Sequence, residues 1–523
     1  MQTIHTETLV IGSGFGAAAP ALRMVQAGME VLMIEKGPDI KPQRDFEQTT
    51  DPKYYLKYLK SFGSDTVGFT YAEGLGGGSG FYEMVSLRAP SKVFSQTDHN
   101  GRRLWPEGVD RTELDMYYDI AEKMIHVEQI AENEIPKSGV AFSNMMKNLS
   151  YSCDRARYAV KGCVGSGYCV SGCVFGAKQS LHLNYLPKAV NLGMKIMTGL
   201  EAISIKPTRF EEDYEGTKRE NEKYRYKVFC RNKETLEELT IYAGVVIMGG
   251  GTIGTAITLL RSQIDMPFLS KHVGKNICIN GSVKAAGVLP EGFIEGDMLS
   301  GRSHPGMISY QFLESHGITV SAVKPLPLDV MASAHLLLEN DTRDPKTWGE
   351  PAVEVMKLYR RRMMILIALG LTPPSACIKQ TGRDSFEPDM NITRELEEYY
   401  HEAKELLHSI FRGNECRILQ PQYVNGEGQE YNGLRFSTTH MIGSCRMADS
   451  KENGVCDGNG EVFGYPGLYI SDGAAVPTSL AVNSSLTILA NAERIGTYIA
   501  HRYGRKPITL KEDLYNIEVP SSK

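Results

Sequence analysis

The chain has 523 residues, a formal net charge of −5, and 42% hydrophobic and 23% charged residues, which is typical of a globular protein. This length predicts more than one domain. The charge balance argues against the basic face of a nucleic-acid-binding protein. No apolar run reaches the roughly 18 residues of a membrane span, and no signal-peptide pattern opens the chain. We therefore expect a cytoplasmic protein with no membrane span and no nucleic-acid partner.

The first predicted elements form a strand, turn, helix and strand at residues 8–11, 12–17, 18–27 and 30–34. Glycine in such a turn lets the backbone approach a pyrophosphate, and the free N–H groups at the helix N-terminus favour an anion. Glu35 ends the second strand, where an acid accepts hydrogen bonds from ribose hydroxyls. The pattern predicts a dinucleotide site that contains Gly12, Gly14, Phe15, Gly16, Ala17 and Glu35.

Residues 38–73 show no clear period and predict an excursion from the core, and a second glycine cluster follows at 74–80. An amphipathic helix is predicted at 112–127. Four cysteines then lie close together in the sequence, with spacings of ten, six and four: Cys153, Cys163, Cys169 and Cys173. These spacings match neither a zinc ribbon nor a ferredoxin run, so packed free thiols are favoured over a metal or iron–sulfur site.

A charged antiparallel excursion is predicted at 206–243, before a buried strand at 245–248. Residues 249–254 then repeat the glycine pattern of the first turn, which on its own would suggest a second dinucleotide such as NAD. No acid ends a following strand at the right distance, because Asp265 lies in no strand-like run. The pattern therefore favours a later strand–helix turn of the same domain, with glycines for close packing.

The character of the chain changes between about 285 and 437. Short alternating runs such as 318–323 and 330–338 predict antiparallel strands, and one helix is predicted at 393–411. The last segment, 466–503, returns to a strand at 468–471, a turn and a long helix at 485–501. This order predicts a second domain inserted into the first.

Taken together, these segments resemble the glucose–methanol–choline (GMC) oxidoreductase family, and the C-terminal segment is similar to its cholesterol-oxidase-like branch. The motifs that carry the resemblance are 12–17 with Glu35, 74–80, Trp105-Pro106, 169–187, 273–276, 440–447 and 468–494. The resemblance implies an α/β fold with a Rossmann-like FAD-binding domain and an α+β substrate domain on an antiparallel sheet. It implies residues 1–285 and 438–523 for the first domain, with excursions at 38–73 and 100–150, and 286–437 for the second.

The resemblance also implies FAD as cofactor, no metal, and His440 and Asn483 as the catalytic pair. A neutral imidazole suits removal of the hydroxyl proton, and the Asn483 amide would position the hydroxyl. Asn483 as a cap of the following helix is the alternative. Further cofactor contacts are implied at Gly74, Gly76, Gly77, Gly78, Ser79, Gly80, Ala202, Gly250, Asp472, Gly473, Ser484 and Ser485.

The reaction implied is oxidation of an alcohol to a carbonyl by hydride transfer to flavin N5. A steroid or other lipophilic secondary alcohol is the favoured substrate, and a sugar or glycoside is the alternative. The acceptor is oxygen, a quinone or a protein. Other functional classes are a flavin lyase or decarboxylase that shows no net redox turnover, and an electron-carrying flavoprotein, which the retained His440 and Asn483 disfavour.

Overall fold

The structure is a computed structural model that describes residues 2–46, 57–208, 223–297, 301–302, 304–324, 336–338, 357–358, 361–382, 384–421, 436–508 and 510. The predicted strand at 330–338 lies outside these residues except for 336–338. Part of the predicted excursion at 206–243, residues 209–222, also lies outside them.

The first part of the chain, up to residue 261, contains eleven strands and six α-helices within the described residues. The strands are β1 (Gln2–Ile11), β2 (Val31–Glu35), β3 (Leu59–Gly63), β4 (Val67–Ala72), β5 (Val127–Gln129), β6 (Asp154–Arg155), β7 (Arg157–Ala159), β8 (Lys195–Thr198), β9 (Leu200–Pro207), β10 (Tyr226–Asn232) and β11 (Glu238–Met248). The helices are α1 (Phe15–Gln26), α2 (Pro42–Asp45), α3 (Arg111–Met124), α4 (Lys137–Asn148), α5 (Tyr185–Asn191) and α6 (Gly251–Arg261).

The rest of the described chain contains ten strands and three helices. The strands are β12 (Val283–Val288), β13 (Met307–Ser309), β14 (Ile318–Ala322), β15 (Leu336–Leu338), β16 (Met363–Gly370), β17 (Ala376–Gln380), β18 (Phe386–Met390), β19 (Arg417–Pro421), β20 (Phe436–Thr438) and β21 (Leu468–Ile470). The helices are α7 (Leu313–His316), α8 (Arg394–Gly413) and α9 (Ser485–Tyr503).

The first large sheet has the strand order β8-β2-β1-β11-β10-β9, with β21 also paired to β11. Strands β8, β2, β1, β11 and β21 run parallel to one another. The inner strands are apolar because a parallel sheet is covered on both faces, and every residue of β2 is buried. The carboxyl ends of these strands meet at one edge, where the glycine turn after β1 lies.

One part of the predicted excursion at 206–243 is wrong. Residues 239–243 do not leave the core, because β11 is one strand from Glu238 to Met248 that pairs with β1 from Gln2↔Leu239 to Ile11↔Met248. Thr240 and Tyr242 interrupt the apolar run, so the sequence predicted a buried strand only from residue 245 onward. The antiparallel part of the prediction is confirmed by β10, which pairs antiparallel with both β9 and β11.

A buried ion pair that the sequence pattern did not reveal joins three helices behind this sheet. The Arg23 guanidinium on α1 donates from Nε to Glu493 Oε2 at 2.6 Å and from Nη2 to Glu493 Oε1 at 2.7 Å. The Tyr185 hydroxyl on α5 donates to the same Oε1 at 2.5 Å. The Arg23 and Glu493 side chains have no exposed surface, so α1, α5 and α9 are tied together by paired charges.

The second large sheet has the order β15-β19-β12-β16-β14-β13-β6, and the pairs in it are antiparallel, as predicted. Helix α8, which Thr393 caps, covers one face of it: a Cβ on Gly287 would lie 2.6 Å from the Phe411 ring. The sheet takes in β12, which begins at Val283, and the short strand β6. The division of the chain into domains at 285 and 438 stays a prediction.

The segment at 38–73, predicted as an excursion, contributes a small sheet next to the site. Strands β3 and β4 pair antiparallel, and β20 joins β4 in parallel from Phe436↔Val67 to Thr438↔Phe69. Because β20 ends two residues before His440, this small sheet positions the segment that leads to that histidine.

Candidate active site

The first glycine turn packs tightly against two later segments of the chain. Gly12 has a φ of +95°, and a Cβ at this position would lie 2.3 Å from the Gly249 carbonyl oxygen. A Cβ on Gly16 would lie 2.2 Å from the Asp472 Cα, and one on Gly249 would lie 2.6 Å from the Ala17 Cβ. Gly12 and Gly16 are therefore needed for chain packing, whatever the turn binds.

Gly14 differs from its neighbours in the turn, because a Cβ there would meet no atom within 4 Å. The same holds for Gly78, in the short 3₁₀ helix Gly77–Gly80, while a Cβ on Gly77 would lie 3.0 Å from the Gly14 Cα. The two glycine clusters thus lie side by side next to open space. The first N–H groups of α1, which begins at Phe15, have no partner within the helix, and this arrangement suits a phosphate.

The predicted ribose acid, Glu35, is buried at the carboxyl end of β2. Its Oε2 accepts from the Ser13 hydroxyl at 2.6 Å, and its Oε1 accepts from the Gly37 N–H at 2.8 Å. Burial raises the pKa of Glu35, and these two hydrogen bonds lower it by a smaller amount. Each oxygen keeps a lone pair for a ribose hydroxyl, and that contact stays a prediction.

Ser13, which the sequence analysis missed, connects the two glycine clusters. Its hydroxyl oxygen accepts from the Gly76 N–H at 3.0 Å while it donates to Glu35. On the other side of Gly76, the Ser79 hydroxyl donates to the Gly76 carbonyl at 2.6 Å. Gly74 is confined by Ile40, since a Cβ there would lie 2.2 Å from Ile40 Cδ1. Ser13 lies between Gly12 and Gly14, and its polar side chain was the only feature of the sequence that could have indicated this role.

The second glycine turn is closed by a protein carboxylate. Asp472 Oδ2 accepts from the Gly251 N–H at 2.8 Å and from the Thr255 hydroxyl at 2.6 Å, both within the first five residues of α6. Asp472 Oδ1 accepts from the Ala474 N–H at 2.8 Å. The anion at this helix N-terminus is therefore part of the chain. This agrees with the prediction of a packing turn, and a direct contact of Asp472 with the cofactor stays a prediction.

The other predicted cofactor residues surround the same helix or lie near α9. Gly250 precedes α6, and a Cβ on Gly473 would lie 3.0 Å from Thr252 Oγ1. The Ala202 carbonyl on β9 accepts from Thr258 of α6 at 3.4 Å. Their contacts with a cofactor stay predictions.

His440 and Asn483 are 43 positions apart in the sequence and face each other in the structure. Asn483 Nδ2 lies 3.3 Å from His440 Nε2. The His440 backbone N–H donates to the Thr438 hydroxyl at 2.9 Å, which orients the loop after β20. Burial, with a smaller contribution from the Lys284 charge, lowers the pKa of His440 to about 4. The imidazole is therefore neutral at pH 7 and carries a free electron pair.

Asn483 is not the residue that caps α9. The N-cap position is Ser484, whose side chain makes no capping hydrogen bond, and the Ser485 hydroxyl donates to the Val85 carbonyl at 3.4 Å. The Asn483 amide is thus available to the histidine side of the site. The alternative prediction, that Asn483 caps α9, is therefore wrong.

A buried asparagine that the sequence analysis missed holds the loop before Asn483. Asn280 Oδ1 accepts from the Leu480 N–H at 2.8 Å and the Ala481 N–H at 3.0 Å, and its Nδ2 donates to the Val482 carbonyl at 2.8 Å. Its φ of +57° is a conformation in which asparagine is enriched. Asn280 follows the apolar residues 277–279, and no motif signals its role.

Comparisons with known proteins identify the family of this chain. The family models of the GMC oxidoreductases match residues 6–280 and 380–492. The chain belongs to the GMC oxidoreductase family. A cholesterol oxidase of Acinetobacter baumannii is 23% identical over 97% of this chain and 96% of its own length. A long-chain-alcohol oxidase of Arabidopsis thaliana is 23% identical over 95% of this chain and 68% of its own length.

The fold of this GMC oxidoreductase also matches solved structures. A variant of the formate oxidase of Aspergillus oryzae superposes with a TM-score of 0.67 at 12% identity, covering 96% of this chain and 99% of that chain. The predicted fold of a Rossmann-like FAD-binding domain with a second, antiparallel-sheet domain is confirmed. The protein is an FAD-dependent oxidoreductase that acts on CH–OH groups.

The residues present fit FAD. The open space beside Gly14 and Gly78 suits a pyrophosphate next to the N-terminus of α1, and Glu35 lies at the neighbouring strand end. The second helix N-terminus, at α6, is already filled by Asp472. None of the helices in the described part of the chain has the length and apolar run needed to span a bilayer.

None of the four grouped cysteines of this GMC oxidoreductase, and none of the other six, is in a disulfide bond. Cys163, Cys169 and Cys173 line one small recess with Lys178, whereas Cys153 packs against the core of the second sheet. Among the described residues, no three His, Cys, Asp or Glu side chains are placed to hold a metal ion. The Lys178 ammonium donates to the Cys169 carbonyl at 2.6 Å and to the Gly80 carbonyl, so this loop supports the second glycine cluster.

Proposed function

We propose that this enzyme oxidises an alcohol to a carbonyl compound and that His440 Nε2 takes the hydroxyl proton. The observation that carries the proposal is the pairing of His440 with Asn483, whose Nε2 and Nδ2 atoms lie 3.3 Å apart. A base has to be unprotonated before the reaction, and burial keeps the pKa of His440 at about 4. The free imidazole is therefore ready to accept a proton at neutral pH.

Asn483 positions the substrate hydroxyl. Its amide N–H groups donate, so they hold the hydroxyl oxygen while His440 accepts the hydroxyl hydrogen. Asn280 limits the movement of this loop through three hydrogen bonds to residues 480–482. Bound FAD would supply the hydride acceptor, its N5 atom, for the carbinol carbon. We propose that Gly14, Gly78 and the N-terminus of α1 hold its pyrophosphate and Glu35 its ribose.

We propose that the substrate is a lipophilic secondary alcohol, such as a ring alcohol of a steroid. The cholesterol oxidase and long-chain-alcohol oxidase among the relatives support this class. So does the apolar row that Ile365, Ile367 and Leu369 of β16 form on the face of the second sheet turned away from α8. The names of these relatives also support oxygen as the electron acceptor.

The experiment is anaerobic stopped-flow reduction of the flavin by a panel of sterols, long-chain alcohols and sugars. His440→Ala should retain FAD and lower the rate of flavin reduction by about 10²- to 10⁴-fold, the usual contribution of a general base. His501→Ala, an exposed histidine of α9, is the matched control and should reduce at the wild-type rate. Reduction at the wild-type rate in His440→Ala would remove the base assignment, and a flavin that no alcohol reduces would remove the reaction.

A further inference from the structure

Strand β12 carries one exposed residue among five buried ones, and that residue is Lys284. Val283, Ala285 and Gly287 alternate with it and face α8, as the contact expected between a Cβ on Gly287 and the Phe411 ring demonstrates. Because side chains alternate along a strand, Lys284 lies on the opposite face of the sheet. Lys284 is the second residue of β12 and pairs with β16, while the pairing of β12 with β19 begins two residues later, at Ala286.

The register of the sheet places Lys284 in a row that faces the catalytic loop. Lys284 is directly opposite Ile367 of β16, and Ile367 is directly opposite Ser321 of β14. Thr319, two residues before Ser321 and on the same face, donates to the Ala481 carbonyl in the loop that leads to Asn483. This face of the sheet therefore lies toward the His440–Asn483 pair.

The end of the sheet is fastened to both catalytic residues. The Thr438 hydroxyl, which orients His440, donates to the Ile279 carbonyl at 3.1 Å, and Asn280 binds the loop before Asn483. Lys284 follows Asn280 by four residues. The Lys284 charge lowers the pKa of His440, so its ammonium lies within electrostatic range of the imidazole.

The ammonium of Lys284 makes no hydrogen bond or ion pair with another of the described residues. Burial nevertheless lowers its pKa, although solvent reaches the side chain. Both observations fit a lysine on the wall of an enclosed space. The charge of Glu83 raises the pKa of Lys284, but the same carboxylate also acts on Lys178 and Lys324. Three ammonium groups thus share the field of Glu83.

A cation that is accessible, partly desolvated and unpaired among the described residues, as Lys284 is, binds an anion more strongly than a lysine in bulk water does. We propose that Lys284 binds an anionic group, a carboxylate or a phosphate ester, carried by the alcohol substrate; this inference rests on the alcohol oxidation proposed above. The apolar row formed by Ile365, Ile367 and Leu369 would contact the rest of the molecule. The substrate is then a lipophilic alcohol that also carries a carboxylate or a phosphate ester.

The test measures binding to the oxidised holoenzyme, without turnover, from the shift of the flavin absorption spectrum. The probes are octanoate, octanamide and octyl phosphate, which share one chain and differ in the charge and type of the head group. Wild-type protein should bind octanoate at least about tenfold more tightly than octanamide, as expected for a charge-assisted hydrogen bond in a desolvated site. Tighter binding of octyl phosphate than of octanoate would identify a phosphate ester as the preferred anion.

Lys284→Met should bring the affinities for octanoate and octanamide within about twofold of each other, mainly by weakening octanoate. Lys284→Arg keeps the charge and should keep the preference. Lys195→Met, in the exposed edge strand β8, is the matched control and should behave as wild type. Equal binding of octanoate and octanamide by wild type, or unchanged octanoate binding in Lys284→Met, would overturn the inference.

The outcome is separable from that of the proposed function. Binding of these probes needs no proton transfer, so His440→Ala should keep the preference for octanoate. Retained flavin reduction by alcohols without any anion preference would remove only the role of Lys284. An anion preference in a protein whose flavin no alcohol reduces would remove only the alcohol oxidation.

Discussion

Two turns of this chain have the same glycine pattern after a buried strand, and each opens a helix. At the first, between β1 and α1, a Cβ on Gly14 would meet no atom within 4 Å. At the second, between β11 and α6, the N-terminus of the helix is occupied by the carboxylate of Asp472. The glycine pattern therefore serves close backbone packing at both turns. We propose a ligand site only at the first turn, where no carboxylate of the described residues occupies the helix N-terminus.

The same comparison explains the different uses of the glycines. Gly12 and Gly249 pack against each other, so both turns need small residues where the two strands meet. Gly14 has no such neighbour, and its missing side chain leaves room for a group that is not protein. Helix N-termini attract anions of either origin, and the two turns differ in where the anion comes from.

The largest effect on stability is expected from Asp472, whose carboxylate occupies the N-terminus of α6 at the second turn. Asp472→Ala would leave the Gly251 N–H, the Thr255 hydroxyl and the Ala474 N–H without their acceptor in a buried site. We expect a loss of roughly 3–5 kcal/mol in the free energy of unfolding, because each unpaired buried group costs about 1–3 kcal/mol. Urea unfolding of the apoprotein measures it. A loss below about 1 kcal/mol would contradict the view that Asp472 is the anion of this turn.

The next effect concerns the open turn. Gly14→Ala places a Cβ in the space proposed for the pyrophosphate, so the FAD dissociation constant should rise by about 100-fold or more, equivalent to about 2.7 kcal/mol. The melting temperature of the apoprotein should stay unchanged, because the Cβ meets no protein atom. Fluorescence titration of the apoprotein with FAD gives the constant. Unchanged FAD affinity would place the pyrophosphate elsewhere.

A smaller effect depends on pH. Burial raises the pKa of Asp472 to about 6, so the folded protein binds a proton that the unfolded chain still lacks between about pH 4 and 6. The contribution of this group to stability is fully present below its unfolded pKa and is lost as pH rises through about 6. Relative to Asp472→Asn, the wild type should gain about 1 kcal/mol in the free energy of unfolding from pH 7 to pH 5. A difference that is constant with pH would contradict the buried carboxylate.

The smallest effect serves as the control for Gly14. Gly254→Ala changes the last glycine of the second pattern, which lies inside α6 with no atom near its Cβ position. Alanine should stabilise the protein by about 0.5–1 kcal/mol, because glycine is the more flexible residue in a helix, and FAD affinity should not change. Thermal unfolding and the same FAD titration measure both. Loss of FAD in this variant would assign a ligand to the second turn after all.

Local patterns in the sequence were sufficient for much of the fold and for part of the site. The first strand, turn, helix and strand follow from hydrophobic period and glycine spacing, and α8 and α9 lie within a few residues of their predicted bounds. The prediction at 239–243 was wrong because a short segment that alternates apolar and polar residues fits two structures equally well. It fits a strand outside the core, and it fits the first half of a central strand such as β11. Its pairing with β1 is a long-range contact that no local period encodes.

By itself, the sequence determined the positions of the glycines, the acid at the end of β2 and the histidine and asparagine of the family motifs. These depend on residue type and short spacing, which a linear pattern records. Only the tertiary structure decided which glycine turn stays open, because Asp472 reaches α6 from 221 positions away. It likewise brought His440 to Asn483 and placed Lys284 on the face of the second sheet from which Thr319 donates to the Ala481 carbonyl, because strand register and long-range contacts set these positions.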